Sequence, residues 1–136
     1  MRNSYQTLCD TFQNNRRDRL VQHLSNHYHW PEPKAHRTVD EYVMFLYVAS
    51  RHLETPLVPT QAIDYAWEAD ILQNTAQYMQ TCESLCGKMI HHTQKNPLHT
   101  SPTSESVEAA FNQTQALFTR YFGHSVSGHA AACGVL

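Results

Sequence analysis

Apolar residues recur every three or four positions through most of this chain, and no sustained alternation with period two competes with that rhythm. Such spacing commits the backbone to amphipathic helices rather than to sheet. The clearest stripe is Ala35, Val39, Tyr42, Val43, Leu46, Ser50 and Leu53, which predicts a helix reaching about His52. "WPEP" introduces it, because a residue before proline is pushed out of the helical region while Pro31 or Pro33 suits a first turn. Upstream, Tyr5, Leu8, Phe12, Leu20, Val21 and Leu24 form a stripe broken by the polar run Gln13 to Arg19. It reads either as one helix with a solvated waist or as two short ones. Thr60 is a good N-cap for a third helix carrying Ile63, Trp67, Ile71, Thr75, Tyr78, Cys82 and Leu85, with Gly87 as its stop. Thr93 to Thr103 holds two prolines and no apolar cluster, so a long exposed loop is expected there. Ser104 is expected to cap a last helix with Val107, Phe111, Thr114, Phe118 and Tyr121 inward and Gly123 at its left-handed end. The expected fold is therefore all-α: a compact bundle of four to five helices around Phe45, Leu46, Trp67, Phe111 and Phe118. It forms a single domain over residues 1–123, followed by a mobile tail over 124–136.

A chain of 136 residues can bury one core without disulfide staples. Its net charge of −2 gives no electrostatic case for nucleic acid or anionic lipid as a partner. The ten histidines are mostly neutral at pH 7 and would make the protein cationic near pH 6. The start "MRNSYQTLCDTFQNNRRDRL" lacks the apolar core of a signal peptide, and no run of about 18 apolar residues suggests a membrane span. A cytoplasmic, reducing setting is the expectation, and it suits four cysteines read as free thiols.

Three groups of side chains invite a chemical reading. Asp64 and Glu68 stand at i and i+4 on one helix face, and with His91 or His92 they offer a mixed carboxylate and imidazole set to Zn, Mn or Fe. Asp70 diverges from Glu68 by about 200° around the helix and cannot share that ion. The plain alternative makes Asp64 a favourable acid near the helix N-terminus, Glu68 a solvated acid, and one histidine an inward donor to a carbonyl or carboxylate. Cys82 and Cys86 are likewise i and i+4, a spacing open to zinc with His91 or His92, or simply to packing as small hydrophobes. No basic neighbour lowers a thiol pKa, so a Cys/His nucleophile is disfavoured. Arg16 to Arg19, "RRDR", reads as a solvated helix face.

The stretches "VDEYVMFLYVASRH", "PLVPTQAIDYAWEADILQNTAQYMQTCESLCGKMIHH" and "FNQTQALFTRYFG" resemble the conserved region of the glycine-rich domain-containing protein-like family, over about Arg19 to Gly123. Pro59, Asp64, Trp67, Ile71, Leu72, Thr75, Tyr78, Cys82, Gly87, His91 and His92 match that family's signature. The resemblance implies an α-helical fold. Where the family carries the histidines of Trp-His-x-His, this chain has Glu68 and Asp70, and the glycine-rich tail is reduced to "SGHAAACGVL". If the family histidines cluster with the later pair to hold a metal, the ligand set here has shifted from nitrogen-rich to mixed.

No nucleophile triad, phosphate loop or nucleotide fingerprint is present. The function expected first is a non-catalytic interaction module without cofactor: an adaptor, regulator or inhibitor of a protein partner. The alternative is a metal-dependent enzyme or sensor. Tyr42, Phe45 and Tyr47 do not fit one face of their helix, so at least one ring is expected at the surface, where it would suit a partner or a homodimer.

Overall fold

The structure is a computed structural model that describes residues 4–94, 104–131 and 133–134, without the side chains of 94, 104, 105 and 133. Among the described residues it is an all-α bundle of six helices, α1 (Tyr5–Thr11), α2 (Asn15–Tyr28), α3 (Glu32–Arg51), α4 (Gln61–Gln73), α5 (Thr75–Cys86) and α6 (Ser104–Phe122). The expected four to five become six because the stripe from Ile63 to Leu85 is two helices. Asn74 leaves helical geometry at φ −162°, and its side chain accepts the Gln77 backbone N–H, so it caps α5 as α4 ends. The upstream stripe is also two helices, which decides the alternative left open by the polar run.

Helix α3 is the central element and touches each of the other five. Tyr42, Phe45, Leu46 and Val48 on it are fully buried. Trp67 of α4 meets Phe45 at 5.1 Å between ring centroids and is 0% exposed, as its stripe predicts. Burying a ring of about 200 Å² at roughly 25 cal/mol per Å² contributes on the order of 5 kcal/mol. Phe111 departs from the expected core: it is half-buried against a satellite cluster of Val58, Val107 and Ala110. Tyr47 is the half-exposed ring of its helix, whereas Tyr42 and Phe45 are enclosed.

Two findings concern the chain ends of the bundle. Thr93–Gln94 (β1) pairs antiparallel with Cys133–Gly134 (β2), a two-residue ladder too short to leave a periodicity signal. The rest of the loop expected before α6 lies outside the described residues, as does the Ser104 side chain that would make the expected cap. The tail expected to be mobile touches the bundle at separate points of its described part. Val126 and Ala131 are buried, Val126 exchanges hydrogen bonds with the Gln115 side chain, and Ala131 N–H bonds to the Pro59 carbonyl beside the α4 cap. At Gly134 an added Cβ would meet the Leu57 carbonyl at 2.2 Å, so only glycine permits that approach. The small residues that made the tail look unstructured are what let it lie close to the bundle. Among the described residues, no helix is long and apolar enough to cross a membrane.

Candidate metal centre

Thr60 accepts the Ile63 N–H and starts α4 squarely, which places Asp64 in its first turn and Glu68 one turn later on the same face. Helix α5 then runs to Gly87, whose φ of +73° turns the chain back toward α4. Ile90 is buried on this return, and its carbonyl accepts the Tyr78 hydroxyl. Tyr78 in turn accepts the Trp67 indole N–H at 2.9 Å. Burial, foremost, holds the Tyr78 phenol well above its ordinary range, so the hydroxyl stays protonated and can donate to Ile90. This relay ties α4, α5 and the returning segment together two residues before His92.

His92 lands edge-on against Trp67, with centroids 4.6 Å apart, and its Nε2 lies 2.7 Å from the Asp64 Oδ1 and 3.8 Å from the Glu68 Oε1. Asp64, Glu68 and His92 each present one ligand atom, and the three atoms lie within 4.8 Å of one another. Of the four residues singled out in the sequence, these three are brought together. His91 is exposed and stands on the rim of the adjoining cleft. His92 is thus the inward histidine and Asp64 the carboxylate that receives it.

The electrostatics of the group are those of crowded acids. Burial raises the Glu68 pKa, and the charge of Asp64 and a hydrogen bond with it add to that rise, while His92 works against it. For His92, burial alone lowers the pKa. The hydrogen bond and charge of Asp64, together with Glu68, outweigh it and leave the imidazole above its ordinary value. Two carboxylates and one imidazole form an oxygen-rich set that a divalent cation would neutralise. On an ion with bonds of about 2.1 Å, neighbouring donors sit roughly 3.0 to 3.4 Å apart. The two distances from His92 Nε2, 2.7 Å to Asp64 and 3.8 Å to Glu68, bracket that spacing.

Asp70 points away from this group, as the helical angle requires. It is buried and receives Arg16 through Nε at 3.0 Å and Nη2 at 2.8 Å, with the Tyr42 hydroxyl at 2.6 Å. Arg16 also donates to Thr81 and lies over the Phe12 ring at 3.8 Å. The reading of "RRDR" as a solvated face therefore fails at Arg16, which is 3% exposed. The signal was present: Phe12, Arg16, Leu20 and Leu24 share one stripe, and so do Ile63, Trp67 and Asp70. Opposite charges on two inward stripes call for each other.

Cys82 and Cys86 are buried free thiols, and among the described residues they join no cluster of metal-ligating groups. The Cys86 thiol donates to the Cys82 and Lys88 carbonyls, and burial, foremost, raises the Cys82 pKa. Both behave as packing residues. No family model, no curated protein and no solved structure matches this chain.

Proposed function

We propose that this protein binds a divalent transition-metal ion through Asp64, Glu68 and His92. The observation that carries the reading is the convergence of three ligand atoms, from residues 28 apart in sequence, within 4.8 Å. Mixed carboxylate and imidazole donors suit Zn, Mn or Fe, and two carboxylates with a neutral imidazole balance the charge of the ion. The relay from Trp67 through Tyr78 to Ile90 supports the site by fixing the segment that carries His92. The family resemblance enters on the same footing, with position 68 as the side of the motif that faces His92. Position 70 is taken up by Arg16, so restoring both family histidines would strand a buried guanidinium rather than rebuild a ligand pair.

Calorimetric titration of untagged, chelator-treated protein with Zn, Mn and Fe(II) tests the reading. One equivalent is expected to bind, with at least tenfold weaker binding after His92→Ala or Glu68→Gln. Equal affinity in wild type and both variants overturns it.

The interaction-module reading comes second. It is favoured by the exposure of Leu72 and Met79 on α4 and α5. Isolated apolar side chains of this kind are common on protein surfaces, which is why it ranks below the three-donor cluster.

A further inference from the structure

Two of the points at which the tail touches the bundle adjoin the segments that supply the three donors. The first is the start of α4. Gln61 opens that helix, so its N–H has no acceptor within the helix, and it donates to the His129 carbonyl at 2.7 Å. The Ala131 N–H donates to the Pro59 carbonyl at 2.9 Å, and Thr60 faces Ala130 in an antiparallel bridge. The tail therefore grips Thr60 from both sides. Thr60 in turn accepts the Asp64 N–H on its carbonyl at 3.0 Å and caps the helix with its hydroxyl, so the tail fixes the turn that carries Asp64.

The second point is the strand after His92. Thr93 pairs with Gly134 and Gln94 with Cys133, so the residue next to His92 lies in a ladder with the tail. His92 itself stands outside any helix. Upstream, its segment is pinned where the Ile90 carbonyl accepts the Tyr78 hydroxyl, and downstream by this ladder. Gly134 also backs onto the Leu57 carbonyl and the Val58 Cα, where an added Cβ has no room. One stretch of tail thus joins the helix that supplies Asp64 and Glu68 to the segment that supplies His92.

Resting on the metal reading above, we infer that the C-terminal tail is a strap whose docking is coupled to cation binding at Asp64, Glu68 and His92. With the strap undocked, the first turn of α4 and the His92 segment are freer to move, and an ion must order them at a cost in conformational entropy. With it docked, that ordering is already in place and the ion binds more tightly. Linkage requires the converse by the same factor, so a bound ion holds the tail down. A two-residue ladder and a few hydrogen bonds open locally without unfolding the bundle, which lets the tail set the affinity of the site.

The test uses the full chain, with zinc as the probe. Hydrogen exchange at the tail amides, read by mass spectrometry with and without zinc, is expected to slow in the wild type by about fivefold or more, within the roughly 5–150-fold usual for coupled sites, and to be unchanged by zinc in His92→Gln. Gly134→Val puts a side chain against the Leu57 carbonyl, and Ala131→Pro removes the N–H given to Pro59. Calorimetric titration of each is expected to show one zinc bound about fivefold or more weakly than by the wild type, with unchanged helical circular dichroism. Wild-type zinc affinity in both variants while their tail amides exchange rapidly overturns the inference and leaves the metal site standing. So does tail exchange in the wild type that saturating zinc does not slow. The wild-type comparison needs no variant, and it decides the matter if a variant fails to fold or keeps its tail docked. Absence of zinc binding by the wild type overturns the metal reading and this inference with it.

Discussion

Replacing Arg16 with methionine tests the largest buried electrostatic feature of the bundle. In the native protein Asp70 receives two guanidinium bonds, at 3.0 and 2.8 Å, and one from the Tyr42 hydroxyl, with both ionic side chains 3% exposed. Hydrogen bonds to a charged group are worth about 1.5–3 kcal/mol each, so two of them set a scale of roughly 3–6 kcal/mol. Breaking a buried pair by removing one partner typically costs about 3–5 kcal/mol, because the remaining charge is left in apolar surroundings. Arg16→Met should therefore destabilise by about 3–5 kcal/mol. For a domain of this size that corresponds to a melting point lower by roughly 10–20 °C. Thr81 keeps a partner, since its hydroxyl also donates to the Gln77 carbonyl at 2.9 Å. In the double variant Arg16→Met with Asp70→Asn, the amide oxygen still accepts from Tyr42 and no net charge is buried. Urea unfolding of the two single variants and the double should therefore show a coupling of at least about 2 kcal/mol. A loss below about 1 kcal/mol for Arg16→Met, the value for a surface pair, would refute the reasoning.

Trp67→Ala should cost about 3–5 kcal/mol by emptying a fully buried site and orphaning the Tyr78 relay. A change under about 1 kcal/mol in denaturant unfolding would mean that the ring is not part of the core. Asn74→Ala should cost about 1 kcal/mol and Asn74→Gly only a few tenths, since the side chain caps α5 through the Gln77 N–H. Equal losses from the two would remove the capping argument. The metal-free protein should also carry a pH signature from His92, whose pKa is raised in the folded state by Asp64. Its stabilisation is complete below the unfolded value of about 6.5 and is lost as pH rises through the folded value. The stability gap between wild type and His92→Gln, measured by urea unfolding across that window, should narrow with increasing pH. Metal affinity should move the opposite way, because an ion needs the Nε2 lone pair. A gap that widens with pH would contradict the assigned hydrogen bond.

The all-α class, the central helix, Trp67 in the core, and the turn-backs at Gly87 and Gly123 were legible because each depends on local periodicity or on a single residue's φ preference. The pairing of Asp64 with Glu68 and the divergence of Asp70 were equally legible, since helical geometry alone fixes them. The break at Asn74 was readable in principle. Asn-Thr-Ala-Gln has the form of a capping box, but reading Thr75 as a continuation of the stripe from Ile71 to Tyr78 masked it.

Other features belong to the tertiary structure. Which of His91 and His92 turns inward depends on where the Trp67–Tyr78–Ile90 relay pins the chain after Gly87, and that relay joins three separate segments. The union of Arg16 with Asp70, 54 residues apart, required the packing of α2 against α4. The docking of the tail on the α3–α4 linker depended on the room left by Gly134. By itself the sequence determined helices and which side chains share a face of one helix, because those follow from the period of one backbone. Which donors share a point in space was decided only when distant faces met, since hydrophobic periodicity says which side of a helix is inward and not what it meets there.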